Sequence, residues 1–170
     1  MRRNGRDIDV LTEVVKGAVA GAVGVWAMDQ VGWYMYNREA PEVLQREQEA
    51  RVEGMDPAHV AANRVADAVG TTLTPRQPHP AGIGVHYGLG VMPAMLYGPL
   101  RHRVKGLDAG HGLLYGLGLF LAMDEVVAPA LGLAAGPAEY PWQAHARGLV
   151  SHLVLGVVTD VVLDVLDRAG

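Results

Sequence analysis

At 170 residues the chain is long enough for one domain of ordinary size and too short for two. Half of it is hydrophobic, yet Phe occurs once and Gly 22 times; a soluble core needs bulky side chains to bury area against water, whereas helices packed in lipid rely on close backbone approach over small residues. A net charge of -4 leaves no basic stripe for nucleic acid, and a Cys count of zero excludes disulfides, thiolate metal sites and Cys nucleophiles.

The N-terminal Met1-Arg2-Arg3 precedes an apolar run, as in a secretory signal. Asp7, Asp9 and Glu13 follow those basic residues, however, and the run ends in Asp29-Gln30 rather than in a small-residue cleavage pattern, so a retained helix is expected. Four segments, approximately 11–36, 82–100, 107–132 and 142–166, are apolar over the roughly 20 residues that a helix needs to cross a hydrocarbon core. Between the first two lies a polar insertion, 37–80, which dilutes the mean hydropathy to +0.15. Within it Asp56-Pro57 reads as an N-cap followed by a first-turn Pro, and Val60, Arg64, Val65, Ala68 and Val69 give an amphipathic pattern up to Gly70. A helix lying on the membrane surface is expected there, followed by an extended connector over 71–80 with Pro75, Pro78 and Pro80. The predicted fold is all-α: a single polytopic membrane domain over 1–170, built as a four-helix bundle with an amphipathic surface helix in its first loop.

Basic residues in short loops stay on the cytoplasmic side. Arg2, Arg3 and Arg6 precede the first span, Arg101, Arg103 and Lys105 fill the connection between the second and third, and Arg168 follows the fourth. Both termini are therefore predicted cytoplasmic. The other side receives 37–80 and the loop 133–141, with Trp33, Tyr34, Tyr36, Tyr140 and Trp142 where an interfacial aromatic belt falls.

The first and third spans align without a gap: Gly17, Gly21 and Ala27-Met28-Asp29 match Gly112, Gly116 and Ala122-Met123-Asp124. The second and fourth share a shorter pattern, His86 four residues before Gly90-Val91 and His152 four residues before Gly156-Val157. Each half reads as a helical hairpin with an Asp on its first helix and a His on its second, a parallel repeat of the kind some transporters carry.

With a rise of about 1.5 Å per residue, Asp29 and Asp124 lie roughly 10 Å below the non-cytoplasmic interface, His86 about 6 Å and His152 about 15 Å. His145 is two helical turns from His152 on the same face, and Glu125 directly follows Asp124. Ionised groups at that depth are costly unless paired, so this set should face the bundle interior. Three readings stand. The groups act as interhelical glue; or Asp29, His86, Asp124, Glu125, His145 and His152 ligate a divalent metal, for which His and carboxylate donors suit Zn, Fe or Mn; or they relay protons or form an ion site. No catalytic constellation is present: Ser151, the sole Ser, lacks a G-x-S-x-G context, and no HExxH occurs. His59, His79, His102 and His111 read as solvated or interfacial.

The run Lys16-Gly17-Ala18-Val19-Ala20-Gly21, the Ala-Met-Asp helix and the His-bearing fourth helix together resemble the YagU-like inner-membrane proteins, a bacterial family of unknown biochemical function. The resemblance implies a multi-pass protein of the bacterial cytoplasmic membrane and implies no activity. The function expected from the residues is metal binding or proton relay at the Asp/His cluster. The rival is an accessory or structural membrane subunit whose glycine faces pack against partner helices. The lipid bilayer is the expected partner in both cases, together with a homo-oligomer or a larger membrane complex.

Overall fold

The computed structural model describes residues 10–169. The N-terminal basic cluster Arg2, Arg3 and Arg6 and the acids Asp7 and Asp9 lie outside the described residues. The elements are α1 (Val10–Tyr36), α2 (Pro41–Ala50), α3 (Pro57–Ala68), α4 (Pro80–Arg101), α5 (Leu113–Ala130) and α6 (Trp142–Ala169), with no strand among the described residues. Three of them, α1, α5 and α6, are long and apolar enough to cross a membrane. The second expected span, α4, is absent from that group, because His86, Tyr87, Tyr97, Pro93 and Pro99 dilute its aliphatic residues.

Small residues let the helices meet backbone to backbone. α1 packs along both α4 and α6, and α5 packs along α6. A Cβ on Gly17 would strike the Ala94 carbonyl oxygen, and one on Gly21 would lie 2.6 Å from Ala94 Cβ, so α1 has no room for larger residues against α4. On the other pair, a Cβ on Gly112 would collide with the Gly156 carbonyl, one on Gly116 with the His152 carbonyl, and one on Gly156 with the Gly112 carbonyl. As residue numbers rise along α1 they fall along its neighbours, Lys16 meeting Asp167 and Gly24 meeting Thr159 of α6. α1 is thus antiparallel to α4 and α6, and α5 is antiparallel to α6.

The glycines aligned between the first and third spans therefore both pack on the helix that follows in the pattern, but not in the same register. Gly21 sits on Gly90, Val91 and Ala94, whereas Gly116 sits on His152 and Leu153, one turn nearer the His of its partner helix. The expected start of the third span at 107 is also corrected. Residues 102–112 form turns, with Gly106, Gly110, His111 and Gly112 all at positive φ, so α5 begins at Leu113 with Gly112 as its N-cap. Gly112 stands at a helix start while its counterpart Gly17 lies within α1.

The insertion is folded. Asp56 caps α3, its side chain accepting from the N–H groups of Ala58 and His59, with Pro57 at the first helical position as expected. α2 was not anticipated. Its pattern is short and strongly charged, and its burial comes from outside: Arg147 of α6 donates to Glu39 and Glu47, both at 2.5 Å. Arg64 of α3 donates to the carbonyls of Leu131 (3.0 Å) and Gly132 (2.8 Å), satisfying the C-terminal end of α5. α3 packs against α4.

The aromatic residues Trp33 and Tyr34 near the end of α1, and Trp142 at the start of α6, are exposed. Gly116→Ala should lower the thermal unfolding midpoint of the purified protein, a loss corresponding to about 1–3 kcal/mol of overpacking. Gly118→Ala, whose Cβ meets nothing within 4 Å, should be neutral or slightly stabilising in the same melt.

Candidate functional site

The six residues singled out in the sequence are brought together as three carboxylate–imidazole pairs, each bridging two helices. His86 Nε2 of α4 donates to Asp29 Oδ1 of α1 at 2.8 Å. His145 Nδ1 of α6 lies 2.6 Å from Glu125 Oε1 of α5. His152 Nδ1, also of α6, lies 3.6 Å from Asp124 Oδ2 of α5 and donates to its own helix at the Gly148 carbonyl, 2.9 Å away.

Asp124 and Glu125 are adjacent, and on a regular α-helix their side chains would diverge by about 100°. They nevertheless reach two histidines on one face of α6. α5 widens into a π-helical stretch over Phe120–Val127, which holds both acids and turns them by less per residue. The aligned stretch of α1, Ala27-Met28-Asp29-Gln30, is regular α-helix and pairs once.

The pairs differ in environment. The His152 side chain is buried, with Phe120 against it at 5.8 Å between ring centroids, while Asp124 is 45% exposed. Asp29 and His86 are each 34% exposed. His145 is held at both nitrogens, since Nε2 faces the Pro137 carbonyl at 2.9 Å. Both of its partners are acceptors, so the ring is satisfied at both sites as the imidazolium.

No three of these six residues bring donor atoms within 4.8 Å of one another; among the described residues the one group that does is Glu13, His102 and Asp167, at the other end of the helices. The arrangement suits proton sharing within pairs better than closed metal ligation.

That opposite end holds a charge network that sequence reasoning left unassembled. Arg101, at the end of α4, donates to Asp160 (3.0 Å), Asp164 (2.8 Å) and Asp167 (2.6 Å) of α6. Tyr97 donates to Asp160 at 2.7 Å and stacks on Tyr115 of α5, centroids 4.3 Å apart. Lys16 of α1 donates to Asp167 (2.7 Å) and Glu13 (3.1 Å). Arg101, Asp160 and Glu13 are all buried. The run Asp160, Asp164, Asp167 repeats at helical spacing, which was the available signal for an acidic face, but the sequence does not say which basic residue meets it.

His59 and His79, expected to be solvated, are buried instead. His59 Nδ1 binds Asp56 and its Nε2 accepts from the His79 N–H at 3.1 Å; His79 Nδ1 in turn accepts from the Gly82 N–H and caps α4. A His can cap a helix as Asn or Asp does, but the residue type carries little warning of it.

No protein-family model, curated protein or solved structure matches this chain. The likeness to YagU-like proteins therefore rests on the residues quoted for it.

Arg101→Met would strand the buried Asp160 carboxylate without its cation. The loss of stability should be about 3–5 kcal/mol, read as a lowered unfolding midpoint, and Arg103→Met, whose exposed side chain joins no such network among the described residues, should leave the midpoint within about 0.5 kcal/mol of wild type.

Proposed function

We propose that the chain is a small integral membrane protein of the bacterial cytoplasmic membrane, YagU-like, with α4 as a fourth span and both termini cytoplasmic, and that its carboxylate–imidazole pairs bind and pass protons in the non-cytoplasmic half of the bilayer. The observation that carries this reading is that all three pairs are made between different helices, with Asp29·His86 and Asp124·His152 at positions that correspond between the two aligned halves.

The chemistry follows from the groups. A carboxylate and an imidazole that share one proton are net neutral, either as carboxylic acid and neutral imidazole or as carboxylate and imidazolium, so a proton can reside there without leaving an unpaired ion in lipid. Along α5 and α6 the pairs are stacked in depth. His145 and Glu125 stand near the start of α6, and His152 and Asp124 form the next pair, with His152 seven residues and about 10 Å deeper. Asp124 and Glu125, joined by the π-helical turn, link one pair to the other.

The exposure of Asp29, His86 and Asp124 supports a further element of the reading. Roughly a third to a half of these side chains is open in a single chain, at a depth where lipid would be a poor neighbour. Water in a cleft, or a second copy of the chain, meets that requirement.

The test is proton flux into vesicles holding the purified protein and a trapped pH dye, driven by a potassium diffusion potential. Wild type should acidify the lumen faster than protein-free vesicles, and Asp124→Asn should slow it by about tenfold or more. Flux no greater than that of empty vesicles would overturn the relay and leave the pairs as interhelical glue.

A further inference from the structure

We propose that Glu13, His102 and Asp167 bind one divalent first-row transition metal ion, of the Zn2+ class, at the end of the helices opposite the carboxylate–imidazole pairs. The site uses none of the relay residues and stands independently of that reading.

Donor geometry comes first. One ligand atom from each of the three residues lies within 4.8 Å of the other two. His102 Nε2 is 3.3 Å from Asp167 Oδ2 and 3.8 Å from Glu13 Oε2. These separations are too long for good hydrogen bonds, yet they bracket the edge of a tetrahedron, about 3.4 Å, that follows from metal–ligand distances of about 2.1 Å. One imidazole with two carboxylates is a donor set that Zn2+, Fe2+ or Mn2+ accepts, with water completing the shell.

A second, independent observation points to a ligand. Glu13 is 7% exposed, and its Oε2, the atom turned toward His102, is buried without a hydrogen-bond partner among the described residues. A buried carboxylate oxygen left unmatched is costly, and a cation in the space between Glu13, His102 and Asp167 removes the cost.

Lys16 does not fill that space. It holds the opposite oxygen of each acid, Glu13 Oε1 and Asp167 Oδ1, and so turns Glu13 Oε2 and Asp167 Oδ2 toward His102. Asp167 Oδ2 also accepts from Arg101, which occupies one of its lone pairs and leaves the other for a metal. Outer partners of this kind orient metal ligands.

The charge balance is short by the same amount. Among the described residues the connected network contains four acids, Glu13, Asp160, Asp164 and Asp167, and two fixed cations, Lys16 and Arg101. With His102 neutral, as a metal ligand must be, the excess is two negative charges, which one divalent ion neutralises. Access is provided as well. His102 is 38% exposed and Asp167 26%, so the site opens to the surface on their side.

The experiment is calorimetric titration of Zn2+ into the full chain, purified in detergent and stripped with a chelator. We expect one equivalent bound per chain, weakened by about tenfold or more in Glu13→Gln and in His102→Ala, and unchanged in Asp124→Asn. A second measurement covers the case in which those variants misfold. His102→Cys, loaded with Co2+, should show a thiolate-to-cobalt charge-transfer band, which no other residue can supply because the chain has no Cys. Absence of stoichiometric Zn2+ binding in the wild type, wild-type affinity in Glu13→Gln and His102→Ala, or a His102→Cys protein that binds Co2+ without the band would overturn the proposal.

Discussion

Charge carried on an apolar helix has to be matched from another helix, and that requirement organises both ends of this molecule. At one end, Asp29, Asp124 and Glu125 each meet a histidine from a facing helix. At the other, Asp160, Asp164 and Asp167 share Arg101, and Lys16 ties Asp167 to Glu13. Side chains as short as Asp reach across only where backbones are close. The glycine faces supply that closeness: Gly112, Gly116 and Gly156 bring α5 onto α6, and Gly17 and Gly21 bring α1 onto α4. Packing and pairing are therefore one constraint, since a larger residue at a glycine contact would also pull the ionic partners apart.

Much of this could be read in the sequence, because hydrophobic runs of about 20 residues and caps such as Asp56-Pro57 act locally. All-helical architecture, three apolar helices and α3 follow from such signals. The failures have a common cause, which is that the deciding interaction came from elsewhere in the chain. α2 is buried by Arg147, about a hundred residues away. Helix start 107 gave way to Leu113 because four positive-φ positions, Gly106, Gly110, His111 and Gly112, unwind the stretch. The candidate site was legible as a set of residues and not as a set of partners. Spacing puts His145 and His152 on one face, but it does not show that adjacent Asp124 and Glu125, on the π-helical stretch of α5, each take one of them. Arg101 reads in the sequence as one of several basic loop residues, and its role appears only once α6 lies beside it.

The insertion 37–80 joins the helical assembly at two places. Arg147 fixes α2 and its preceding turn to α6, and Arg64 fixes α3 to the end of α5. The buried His59 and His79 then carry the start of α4, the helix that bears His86. The position of one imidazole in the candidate site thus depends on a polar segment that is held by contacts to α6 and to the end of α5.

The pairing of acids with histidines across helices is tested most directly by paired cysteines in cells expressing the protein, where the natural absence of Cys in the chain leaves the introduced pair as its only thiols. A short bis-thiosulfonate reagent should link Asp29→Cys to His86→Cys and Asp124→Cys to His152→Cys within single chains, and should leave Asp29→Cys unlinked to Asp167→Cys, which lies at the opposite end of α6 beside Lys16. Efficient linkage of that last combination, with none in the first two, would contradict the account.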